Sequence, residues 1–270
     1  MQVTLTVAAI VAAAFLLAWL GLRVRPRPFP PHARRTPELR TVPLPAGLPA
    51  PVERFYRTVY GEQVPIIETV VLTGRAAIAP FKIALPARFV FVHNAGRDYR
   101  HYFEAAFFGL PLLKVNEGYL DGASFFEAPM GTYHDDPNTN QGANLALWAE
   151  GAMFPSIFLT DPRARWAPVD GETALLYVPF KDEEESFLVR FDPETGLIAM
   201  MEAMRFRSPG DRQKILWITR NQGGANLPNS KIGAVGSATW LDQGRPWAVM
   251  TLETIVYNAD VSAYIRARGQ

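Results

Sequence analysis

The chain has 270 residues, 49% of them hydrophobic and 20% charged, with no cysteine and a net charge of +1. That composition is globular and excludes wholesale disorder, a disulfide scaffold, a thiolate metal site and a cysteine nucleophile. So little net charge gives no electrostatic case for a nucleic-acid partner.

The charge is distributed unevenly. Residues 1–22 carry no ionised side chain, whereas residues 23–40 hold Arg23, Arg25, Arg27, Arg34, Arg35 and Arg40 against one acid, Glu38. The remainder, 41–270, is left with 21 basic and 25 acidic residues. The stretch Val3 to Leu22 is apolar except for Thr4 and Thr6. As a helix it spans roughly 30 Å, the thickness of a bilayer's hydrocarbon core, so residues 1–22 are predicted to be a single transmembrane helix. A cleaved signal peptide is the alternative, but no basic residue precedes the run and no small-x-small site follows it. Trp19, Arg23, Arg25 and Arg27 are the expected membrane-interface residues, because indole rings favour the headgroup region and arginines gather on the cytoplasmic flank. With every nearby arginine after the helix, the charge rule places the C-terminal domain in the cytoplasm; a periplasmic domain is the alternative.

Residues 23–50 read as a basic, proline-rich stalk. Nine prolines fall between 26 and 51, a density that blocks helix and central strand and favours extended polyproline II. The stalk is expected to be a semi-rigid spacer, or a segment lying along a partner's surface.

Residues 51–270 are predicted to be one antiparallel β domain. Val52, Phe55, Tyr56 and Val59 recur at helical spacing until Gly61. Thereafter the period is two. Strands are predicted over 67–72, 89–92, 99–108, 112–119, 124–130, 173–180, 186–191, 197–206, 214–219, 237–241 and 247–257, joined by turns such as Asp121-Gly122 and Asp192 to Gly196. The one further helix is Gln141 to Met153, with Leu145, Trp148, Ala149 and Met153 on one face. The fold class is mainly β (α+β): a large curled antiparallel sheet or half-barrel with two short helices, after one transmembrane helix. The concave face of such a sheet must be filled by side chains, a helix or a ligand.

Motif chemistry is sparse. There is no P-loop, dinucleotide fingerprint, H-E-x-x-H or G-x-S-x-G. No catalytic residue, metal ligand or cofactor is therefore assigned. His134-Asp135-Asp136 reads as a loop capping the helix that follows, and Asp182 to Glu185 as a solvated turn. His93 and His101 flank one hairpin turn, but two histidines without a third ligand make a weak metal case, and they are read as a hairpin-surface pair. Tyr99, Phe103, Phe107, Phe125, Trp148, Glu150 and Trp166 form the expected ligand or partner face; core filling is the alternative for the aromatic residues.

Leu147-Trp148-Ala149-Glu150, Phe154-Pro155, Trp166, the strand Thr173 to Tyr177, the turn Asp192 to Gly196 and Tyr257-Asn258, with Leu48-Pro49 before Arg54 and Tyr56, resemble a bacterial family of uncharacterised, often membrane-anchored proteins over roughly residues 45–258. That family in turn looks distantly like the curled half-barrels of lipoprotein carriers, which hold acyl chains on the concave face. The resemblance implies the half-barrel and a bacterial inner-membrane setting. The sequence as a whole is read as a non-enzymatic, single-pass membrane protein with membrane lipid and a membrane protein as partners. An accessory subunit of a membrane complex is the first expectation. A half-barrel binding a lipid or other hydrophobic ligand is the alternative, and an enzyme the third.

Overall fold

The computed structural model describes residues 2–30, 32, 38–79, 83–223 and 230–266. In chain order the elements are α1 (Gln2–Arg23), β1 (Thr41–Pro43), α2 (Ala50–Val59), β2 (Gln63–Pro65), β3 (Thr69–Ile78), β4 (Leu85–Asn94), β5 (Asp98–Phe107), β6 (Leu110–Leu120), β7 (Ala123–Ala128), β8 (Gly131–His134), α3 (Pro137–Glu150), α4 (Ile157–Thr160), β9 (Arg165–Pro168), β10 (Thr173–Phe180), β11 (Glu183–Phe191), β12 (Ile198–Arg205), β13 (Ile215–Asn221), β14 (Val235–Trp240), β15 (Pro246–Tyr257) and α5 (Ser262–Ile265). The predicted mainly β class is borne out, and the two expected helices are α2 and α3.

Strands β3 to β15 form one antiparallel sheet of 13 strands, ordered β8-β7-β6-β5-β4-β3-β15-β14-β13-β12-β11-β10-β9. It consists of two meanders, β3–β8 and β9–β15, joined where β15 lies beside β3. The sheet is open, with β8 and β9 as its outer strands. Register shifts at Ala105/Ala106, Arg190/Phe191, Ala238/Thr239 and Leu252/Thr254 bend it. At the last of these the main chain of β15 presses onto Gly74: a Cβ there would collide with the Thr251 carbonyl oxygen and the Phe89 ring, so only glycine fits.

Alternation along the strands builds a core on each face. Val70, Leu72, Phe89, Phe91, Tyr99 and Phe103 point inward to a large cluster shared with α2, α3 and α4. Val71, Val90, Val92, Tyr102 and Val256 point outward to a smaller one. Helix α3 starts as its sequence dictates: Pro137 takes the first turn, and the Asp136 carboxylate accepts from the Asn138 and Thr139 amides. Of the loop expected at His134-Asp135-Asp136, Asp136 thus caps the helix while His134 ends β8, and the helix begins at Pro137 rather than at Gln141. Residues 139–149 of α3 are all buried, so it fills the concave face on every side.

Two expectations are corrected. The segment read as a free stalk is docked in part. Phe29 inserts into the outer cluster with its ring 5.8 Å from that of Tyr102, the Arg88 guanidinium lies 4.2 Å above it, and β1 pairs with β2. Proline density disfavours a long ladder strand but allows both the three-residue β1 and one aromatic anchor in a groove. The acidic run 182–185 is not wholly a turn either: Glu183 to Glu185 open β11, where Glu184 pairs with Arg165 and Glu185 with Lys214.

Candidate functional site

Antiparallel register places two imidazoles on the inner face. His93 of β4 stands opposite Tyr99 of β5, and Phe91 opposite His101, so the histidines are diagonal neighbours. Neither is on the surface: His93 is 0% and His101 2% exposed, which corrects the hairpin-surface reading. The hairpin faces α3, whose last residue, Glu150, closes on them. His101 Nε2 lies 2.8 Å and His93 Nε2 2.9 Å from the same oxygen, Glu150 Oε2. On its other side His101 Nδ1 lies 3.2 Å from Oε1 of Glu117, its partner across β6. Phe91 and Tyr99 flank the His101 ring at centroid distances of 3.7 and 4.2 Å, and Phe154 lies 5.2 Å from His93.

The two histidines titrate differently. Burial pushes the His101 imidazolium down, but the Glu150 carboxylate and the Glu117 hydrogen bond overcome it and hold the group up at about 9. Burial raises the Glu150 carboxyl, and the charge and hydrogen bond of His101 more than reverse that, bringing it to about 2. His101 and Glu150 are thus an ion pair at neutral pH. His93 is lowered, chiefly by burial, and stays neutral. It is also incompletely satisfied: its Nε2 is close to Glu150 but outside hydrogen-bond alignment, and its Nδ1 has no partner among the described residues. The ligating atoms of His93, His101 and Glu150 all lie within 4.8 Å of one another, a set able to hold a metal ion.

Glu150 also borders an apolar cleft of about 130 Å³ between the end of α3, α2 and strands β12 to β15. Phe55 and Trp217 line it with Met153, Met200, Met201 and Met250, four of the chain's seven methionines. Unbranched, polarisable methionine side chains make a wall that adapts to guests of different shape.

A second apolar surface lies where α1 ends. Phe107 and Phe108 close around Gly21 so tightly that no Cβ would fit, and the Phe108 amide donates to the Gly21 carbonyl at 2.9 Å. Beside them Phe108, Leu110 and Leu112, on the β5–β6 hairpin, are exposed. Helix α1 is long and apolar enough to cross a membrane and has none of its apolar window buried.

The expected ligand or partner face is therefore divided. Tyr99, Phe103, Trp148 and Glu150 share the inner face. Phe107 packs on α1. Phe125 lies on the outer face under the Arg100 guanidinium, 4.6 Å away. Trp166 is half buried, edge-on to Phe158. Of the interface residues, Arg23 lies 4.7 Å over the exposed Trp19 ring, Arg25 is exposed, and the Arg27 carbonyl accepts from Arg88 at 3.2 Å. Glu117 and the methionines went unassigned in the sequence; strand register is the signal that could have placed Glu117 opposite His101.

Residues 38–252 match the model of a family of unknown function, DUF6544, so the anticipated likeness over 45–258 is borne out. No curated protein matches the sequence. Among solved structures the chain is similar to a LolA superfamily protein from Nitrosomonas europaea, at 12% identity over 82% of this chain and 99% of that one, TM-score 0.46. It is also similar to a DUF1329 family protein from Desulfovibrio piger, at 11% identity over 74% and 90%, TM-score 0.41.

Proposed function

The chain belongs to the DUF6544 family, and on that premise we propose that it is a membrane-tethered binding protein, not an enzyme, whose cleft takes the hydrocarbon part of a lipid or similar hydrophobic ligand. The observation that carries this reading is the methionine-lined cleft beneath α3. Its volume, about 130 Å³, compares with the roughly 150 Å³ cavity that stays dry and takes benzene in an engineered core. The cleft suits the end of an acyl chain, with the remainder leaving through the mouth, and each buried methylene favours binding by about 0.8 kcal/mol. The exposed β5–β6 tip beside Gly21 extends the apolar surface of α1 and suits the headgroup boundary. An accessory subunit of a membrane complex, the first expectation from the sequence, rests on α1 and that tip alone, surfaces that a bilayer also covers.

Purification of the full chain in mild detergent tests the reading, with bound lipid extracted and weighed against protein. About one lipid per chain is expected, with loss on Met201→Trp, which fills the cleft. A cleft empty of lipid with a membrane protein held in equimolar amount would overturn the reading in favour of the subunit. The side of the membrane is proposed from Arg23, Arg25 and Arg27, which hold the domain in the cytoplasm of a bacterial inner membrane. A reporter fused after Gln270 that is active only in the periplasm would reverse that placement.

A further inference from the structure

We propose that His93, His101 and Glu150 form a binding site for one divalent transition-metal ion of the zinc class. The argument starts from convergence. Two imidazole Nε2 atoms from the neighbouring strands of one hairpin each lie 2.8–2.9 Å from a single carboxylate oxygen at a helix end, Glu150 being 49 residues beyond His101 in sequence. Hydrophobic packing alone does not select this set: two buried imidazoles and a carboxylate brought together on the inner face cost desolvation without a matching gain in apolar burial.

The second observation is His93 itself. It is fully buried, its Nε2 lies 2.9 Å from the shared oxygen but outside hydrogen-bond alignment, and its Nδ1 has no partner among the described residues. A cation beside Glu150 Oε2 would be ligated by that nitrogen. The third is Glu117. A metal-binding histidine characteristically gives its other ring N–H to a carboxylate, which fixes the tautomer and the ring orientation. His101 has that arrangement, with Nδ1 on Glu117 and Nε2 on the site. The flanking Phe91 and Tyr99 rings keep the imidazole plane from turning.

Two imidazoles and a carboxylate are the ligands of a zinc-class ion rather than of calcium or magnesium, which prefer all-oxygen shells. Three protein ligands leave the fourth tetrahedral position for water. On binding, the ion replaces the proton that His101 Nε2 shares with Glu150, and that proton leaves to solvent. The ion would tie the β4–β5 hairpin to the end of α3, at the wall of the apolar cleft.

The experiment uses the full chain in detergent micelles, stripped with a chelator and titrated calorimetrically with Zn²⁺. One equivalent should bind. Glu117→Gln, which leaves the three ligands in place, should weaken binding by about 10- to 100-fold, and Glu150→Gln by more. His134→Ala, at a surface histidine, should bind as the wild type does. If Glu150→Gln fails to fold, X-ray absorption on the zinc-loaded wild type decides. Four-coordinate nitrogen and oxygen neighbours at about 2.0–2.1 Å with two imidazoles support the site. The proposal is overturned by no saturable zinc binding to the wild type, by a folded Glu150→Gln protein that binds normally, or by a six-oxygen shell. Lipid content is measured on the same samples, so loss of metal and loss of the hydrophobic ligand are read separately.

Discussion

Trp148 is 1% exposed and packed among the inner-face residues at the middle of the molecule. Trp148→Ala is expected to destabilise the fold by about 3–5 kcal/mol, read from urea unfolding. A loss below about 1 kcal/mol would place the indole outside the core. Asp161 gives a pH-dependent test. Burial raises its carboxyl, but the Arg163 guanidinium and amide hold it below the usual carboxylate range. Its contribution to stability is thus fully present above the unfolded value of about 3.9 and is lost as pH falls through the lower folded value. Wild type should exceed Asp161→Asn in urea midpoint at neutral pH, and the gap should close in acid. At this scale the sequence was partly legible. It placed His93 and His101 on one hairpin and marked Glu150, yet period-two patterning does not say which face is buried. The 49-residue separation of His101 and Glu150 is bridged by tertiary packing, which no local signal reports.

The elements were more legible than their neighbours. Alternation and turn residues located eleven of the fifteen described strands, because those signals are local; β1, β2, β8 and β9, of three or four residues each, are too short to carry a period. Helix α3 was harder to delimit: buried on all sides, it lacks a polar stripe, and its start is marked by Asp136-Pro137 rather than by periodicity. The stalk misled for a different reason, since composition reports what a segment cannot form and says nothing of where one residue anchors it. Phe29→Ala removes that anchor and should cost about 1.5–3 kcal/mol, the usual contribution of a buried Phe ring. Limited proteolysis should then cut between residues 23 and 40 faster than in the wild type. An unchanged cutting rate would mean that β1 alone holds the segment.

At the scale of the whole molecule, the joint between the meanders governs integrity. β15 pairs with β3 through nine register positions and with β14 through five, so the last strand of the sheet lies near its middle. A chain ending at Trp240 would leave β3 and β14 with unpaired ladders and is expected to aggregate, as measured by light scattering, whereas removal of residues 1–22 should leave the domain folded. The fold class followed from strand count and turn length, but not this order, because insertion of the last strand depends on a pairing between distant residues, such as Thr73 and Thr254, 181 positions apart.

That position of β15 has a consequence for synthesis. Every other strand emerges from the ribosome before it, so each nascent chain waits with a vacant central slot while α1 is already available to the membrane. Until β15 arrives, β3 and β14 keep open hydrogen-bonding edges, so the two meanders become one sheet only when nearly the whole domain has been made.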